Sequence, residues 1–132
     1  MKTEVEITYH PLLDEWEATQ NPIVLKPGIT AIVWTIKTTN RAGEIRFGTD
    51  DLFRGISFNR HDWPGTVPKG TSEQWHTVIN DQLPPYSETQ HFHYTVNAVY
   101  TPRDAEVSEM KSWDPEVDET SDPPPPVKPP VK

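Results

Sequence analysis

The sequence predicts an all-β fold: a single antiparallel β-sandwich of the immunoglobulin-like kind, with about seven strands. Three observations carry this expectation. Apolar and polar residues alternate one by one in several short runs, the period of a strand with one buried face. No stretch keeps apolar residues at three- and four-residue spacing for the length of a stable helix. The chain holds 15 prolines against 6 glycines, a composition of many turns and loops.

The elements follow in order along the chain. Val5, Ile7 and Tyr9 alternate with Glu4, Glu6 and Thr8, giving a first strand with one apolar row. The segment DEWEATQ at 14–20 is too short and too poorly patterned for more than a turn of helix. The run PIVL at 22–25 is stopped by Pro27 and Gly28, and TAIVWTIKTT at 30–39 reads as a central strand carrying Ile32, Trp34 and Ile36 on one side. Asn40–Gly43 has turn chemistry, and Ile45 and Phe47 follow it in alternation, so residues 30–47 are expected to form a hairpin. GISFN at 55–59, WHTVIN at 75–80 and HFHYTVNAVY at 91–100 supply the remaining strands, the last being the longest. Trp34 and Trp75 fall at core positions.

The chain, 132 residues long, is sized for one core. The sandwich is expected to occupy residues 1–118. From Glu119 the sequence becomes ETSDPPPPVKPPVK, a disordered proline-rich tail over 119–132 that samples extended polyproline II. Within it, Pro123, Pro126 and Lys128 match the Pro-x-x-Pro-x-Lys pattern read by aromatic grooves, which any proline run beside a lysine also matches.

Composition narrows the function classes. There is no cysteine, which removes disulfides, thiolate nucleophiles and zinc–thiolate sites. Net charge is −8, and residues 104–122 carry eight acids against the single base Lys111. Acidity without a basic stripe disfavours nucleic acid and anionic membranes as partners. The first residues alternate instead of forming the apolar core of a signal peptide, so a cytoplasmic location is expected. The serines lie in no nucleophile elbow, and the glycines are dispersed with no phosphate-cradling loop. Asp50 and Asp51 are adjacent and supply too few oxygens for calcium, so they read as a solvated turn.

Two stretches remain. His91 and His93 sit two apart on the last strand, opposite in facing to Phe92, Tyr94, Val96, Ala98 and Tyr100. They are expected on the wet face, where they chelate a metal only if a neighbouring strand supplies a third ligand; His76 and Glu44 are the candidates. Solvated strand residues, with no metal and no cofactor, are the expectation. The other stretch is the connection NRHDWPGTVPKGTSEQ at 59–74, long for a compact domain. Arg60, His61 and Trp63 there have the composition of a recognition surface, with the alternative that Trp63 folds back as a lid on the core.

The functional expectation is a non-catalytic binding or accessory module that presents its end loops to a protein or small ligand. The alternatives are a metal-binding protein or metal-dependent enzyme centred on His91 and His93, and an assembly protein that uses its strand edges.

Overall fold

The computed structural model of the chain describes residues 1–121. Among the described residues it is all-β, with no helix, and hence no helix long and apolar enough to cross a membrane. The strands are Lys2–His10 (β1), Glu15–Ala18 (β2), Ile23–Leu25 (β3), Ala31–Thr38 (β4), Glu44–Phe47 (β5) and Thr49–Asp50 (β6). They continue with Phe53–Arg54 (β7), Ile56–Phe58 (β8), Lys69–Gly70 (β9) and Gln74–Val78 (β10). Gln90–Thr101 (β11), Glu109–Trp113 (β12) and Glu116–Glu119 (β13) complete the set.

Two main sheets result. One has the order β2-β1-β4-β10-β9; the other runs β12-β11-β13-β3, with β5 and β8 also paired to β11. The twelve residues of β11 form the spine of the second sheet. β12 and β13, separated only by Asp114 and Pro115, pair with successive stretches of it, and β8 and β5 do the same. Buried side chains from both sheets make one cluster: Val5, Ile7, Ile32, Trp34 and Trp75 meet Ile23, Phe47, Ile56, Tyr94, Val96 and Val117. Two mixed sheets sharing one core are consistent with a β-sandwich.

The alternation reads correctly on every long strand. Val5, Ile7 and Tyr9 on β1 are buried, as are Ile32 and Trp34 on β4, Trp75 and Thr77 on β10, and the five inward residues of β11. A core-facing row follows directly from the two-residue period, because one face of each strand meets the other sheet.

The pairing departs from expectation in three ways. The sheets are mixed, not antiparallel: β1 runs parallel to β4, and β3 parallel to β13. The 30–47 hairpin does not exist. Its turn does, with the Gly43 amide donating to the Asn40 carbonyl at 3.1 Å and the Ala42 amide to Asn40 Oδ1 at 3.1 Å. The strands on either side of it join different sheets, β4 pairing with β1 and β10 while β5 pairs with β11. Turn residues report a reversal of direction; they do not report which neighbour the chain then pairs with. Finally, the DEWEATQ segment is extended. Trp16 on β2 lies opposite Tyr9 and stacks on Trp113 of β12, ring centroids 6.0 Å apart and planes at 3°. This pair closes one side of the molecule and gives a role to two tryptophans that fall outside the strong alternation.

The described structure continues past the expected boundary at 118. Glu119 is the last residue of β13 and is buried, the Thr120 amide donates to the Leu25 carbonyl at 2.9 Å, and Ser121 Oγ donates to the Ser87 carbonyl at 2.8 Å. The remainder of the expected proline-rich tail, including Pro123, Pro126 and Lys128, lies outside the described residues.

Candidate functional site

The 59–74 connection is not structureless. After Trp63 it returns along β10: Gly65 bridges to Ile79, the Thr66 amide donates to the Val78 carbonyl at 2.8 Å, and β9 pairs with Trp75 and His76. Thr77 Oγ1, buried on β10, donates to the Thr66 carbonyl at 2.7 Å. These bonds give the connection the character of an added edge and hold it against the end of the core.

Trp63 is the pivot of this return. It is only 9% exposed, which fits the inward, lid-like reading of Trp63 and not the exposed anchor. Its indole lies flat on Phe58, with centroids 3.7 Å apart and planes at 8°, and meets Phe92 edge-on at 5.2 Å. Gly65 lies so close to it that a Cβ there would fall 2.5 Å from the indole nitrogen, which explains the glycine two residues after the tryptophan. The inward position removes a large apolar ring from water and covers the end of the core.

Arg60 and His61 stay at the surface. The Arg60 guanidinium is clamped by Asp62, donates from Nη1 to the His91 carbonyl at 3.0 Å, and lies 4.8 Å above the Phe92 ring. Paired with Arg60, the Asp62 carboxyl is held below the usual carboxylate range. Together with Arg54, Phe58, Asn59, Trp63 and Val67, Arg60 and His61 line a groove of about 400 Å³. Two guanidinium groups and an imidazole border it, and no carboxylate is part of its lining. Arg54 packs over Trp75 at 5.1 Å, and its Nε is buried with no hydrogen-bond partner among the described residues. A hollow of about 540 Å³ on the outer face of the first sheet is larger; its charges are paired, Lys2 with Glu4 and Glu6 with Lys37, as Arg60 is with Asp62 and Arg54 with Asp51 at 3.7 Å, but it lacks the groove's aromatic floor.

On the other side of Trp63 a second hollow contains Asp62, Asp81, Gln90 and Glu119. Burial, and then the charge of Asp81, push the Glu119 carboxyl above its ordinary value. Ionising Glu119 therefore costs the folded state; the penalty is absent below the unfolded-state pKa and complete above the folded one. Glu119→Gln is expected to raise the melting temperature at pH 7, with the gain fading as pH falls toward 4. Melts at the two pH values check it, and an unchanged or lowered midpoint at pH 7 would contradict the assignment.

His91 and His93 lie on the solvated face of β11, with side chains 59% and 61% exposed. Neither expected third ligand is near them by register. Glu44 lies opposite Thr101 at the far end of β11, and His76 belongs to the first sheet, opposite Val33. β13 instead places Asp118 opposite His91 and Glu116 opposite His93. His91 Nδ1 is 2.7 Å from Asp118 Oδ1 and 3.8 Å from Glu116 Oε1, and His93 Nε2 is 3.7 Å from the same Glu116 oxygen. The hydrogen bond with Asp118 raises the His91 pKa. Sequence reasoning missed both carboxylates because it ran the acidic segment straight into the tail. The signal was EVDE itself, where Val117 alternates with Glu116 and Asp118.

No protein-family model matches the chain, and no curated protein matches it.

Proposed function

We propose that the chain is an immunoglobulin-like β-sandwich acting as a binding module, and that the groove bordered by Arg54, Arg60 and His61 takes an acidic segment of a partner protein. The observation that supports this is the combination of an aromatic floor with cationic sides in a molecule of net charge −8. A carboxylate-bearing segment finds donors there and is repelled by the acidic 104–122 segment, which favours one docking position over others. Trp63 and Phe58 form the floor, and Arg60 is pre-organised by Asp62 and the His91 carbonyl, so little ordering entropy is lost on binding. The sheet edges favour the groove over edge-to-edge assembly: β12 has five residues, β2 four, β3 three and β9 two, short edges on which to template a second chain.

Isothermal titration of the full chain with a short peptide holding two glutamates beside an aromatic residue tests the proposal. Saturable binding is expected, weakened about tenfold in Arg60→Gln and in His61→Ala and reduced by added salt. Absence of binding, or binding indifferent to both substitutions, would contradict it.

A further inference from the structure

We propose that His91, His93, Glu116 and Asp118 form a binding site for a divalent first-row transition ion, with zinc as the representative. The site is separate from the groove and does not depend on the groove's function.

The geometry begins with register. β11 and β13 are antiparallel neighbours, and the two directly opposed pairs, His91 with Asp118 and His93 with Glu116, project from the same side. Between them Phe92 and Val117, also opposed, point the other way and are buried. The four side chains therefore stand on two strands anchored through the core, not on a loop, which fixes the positions of their Cα atoms. One ligand atom from each of His91, Glu116 and Asp118 can be chosen so that all three lie within 4.8 Å of one another. Glu116 Oε1 lies almost equally far from the two imidazoles, 3.8 Å from His91 Nδ1 and 3.7 Å from His93 Nε2. An ion with ligands about 2.0–2.2 Å away needs donors separated by roughly one and a half times that distance, which His91, Glu116 and Asp118 approach as they stand, with His93, 3.7 Å from Glu116, as the fourth donor that must turn toward them.

The donor chemistry selects the ion. Two imidazole nitrogens and two carboxylate oxygens suit zinc and its neighbours, whereas calcium requires 6 to 8 oxygens and magnesium an octahedral oxygen shell. The chain has no thiolate to divert the ion. The ion would take the place of the proton between His91 and Asp118, which leaves to solvent from a charged His91 or moves to the other ring nitrogen of a neutral one. One functional consequence follows from the placement. The ion would tie β13 to β11, and with it the parallel neighbour β3, which β13 alone attaches to the sheet.

The experiment uses the full chain freed of metal by chelation and dialysis, titrated with zinc chloride by calorimetry and by differential scanning melts. One ion per chain is expected to bind, raising the melting temperature, with shifts of the His91 and His93 imidazole resonances. His91→Gln and Asp118→Asn are expected to weaken binding about tenfold or more, while their metal-free amide spectra stay parent-like. His76→Gln, on the other sheet, is expected to bind as the parent does, and calcium and magnesium are expected not to bind in the same range. Absence of saturable 1:1 binding would overturn the site. So would binding that survives both substitutions, as ligation at His10 and Glu17 or at His61 would give.

Discussion

Trp34→Ala is expected to destabilise the domain by about 3–5 kcal/mol, through lost transfer free energy and the cavity left behind. Trp34 is fully buried on β4, the middle strand of its sheet, with Val5 of β1 on one side and Trp75 of β10 on the other. Its ring reaches the opposite sheet, lying 5.5 Å from Tyr94 and 6.3 Å from Phe58 between centroids. No single neighbour can fill that volume, since the surrounding rings are held by their own strands. The indole nitrogen has the buried Tyr94 hydroxyl as a loose hydrogen-bond partner, short of a well-formed bond, and Trp75 Nε1 nearby has none among the described residues. Trp34→Phe, which gives up only that loose bond and keeps most of the ring, is expected to be milder than Trp34→Ala. Against the typical stability of about 5–15 kcal/mol for a domain, the alanine variant approaches unfolding. Urea melts of both variants check this; a Trp34→Ala midpoint equal to the parent's would contradict the assignment of the core face.

Trp63→Ala is expected to cost about as much, again about 3–5 kcal/mol, and for a reason particular to the end of the fold. The ring lies flat on Phe58, with Gly65 close to its indole nitrogen and Phe92 meeting it edge-on. Removing it empties the space under the 59–70 return, and the bonds from Thr66 and Gly65 to β10 then span a void. The indole N–H to Thr77 Oγ1 distance, 3.4 Å, marks a weak hydrogen bond, so the loss is one of packing. A large drop in melting temperature is expected. A parent-like melt would return Trp63 to the role of an exposed contact residue.

These two tryptophans illustrate how far the sequence can be read. Trp34 sits in a run whose alternation names its facing unambiguously, because a strand with one buried face permits only one register. Trp63 sits beside Pro and Gly in a connection with no period at all, and its inward fold depends on Phe58 and Gly65 lying against it, which only the tertiary structure decides. The same limit explains the absent hairpin: Asn40 and Gly43 form the turn they promise, while the partners of β4 and β5 come from residues 2–10, 74–78 and 90–101. Parallel pairs leave no local mark, since β1 and β4 are joined through other strands of the chain.

The candidate sites divide in the same way. The facing of His91 and His93 follows from alternation alone. Their carboxylate neighbours follow from the pairing of β11 with β13, and a pairing between residues 90–93 and 116–119 has no counterpart in the spacing of either segment. Arg60 and His61 were recognisable as polar residues of a long connection, whereas Arg54 joins them only because β7 and β8 bring it under Pro68, whose carbonyl accepts from its guanidinium.

The most direct test of a ligand-carrying groove above a structural tryptophan is amide chemical-shift mapping of the full chain as the two-glutamate peptide is added. The largest shifts are expected at Ser57, Asn59, Arg60, His61 and Val67, the lining of the groove, with the outer face of the first sheet around Glu4, Val33 and Thr35 unmoved. Shifts concentrated on that outer face, or none at saturating peptide, would contradict the proposed binding role of this end of the fold.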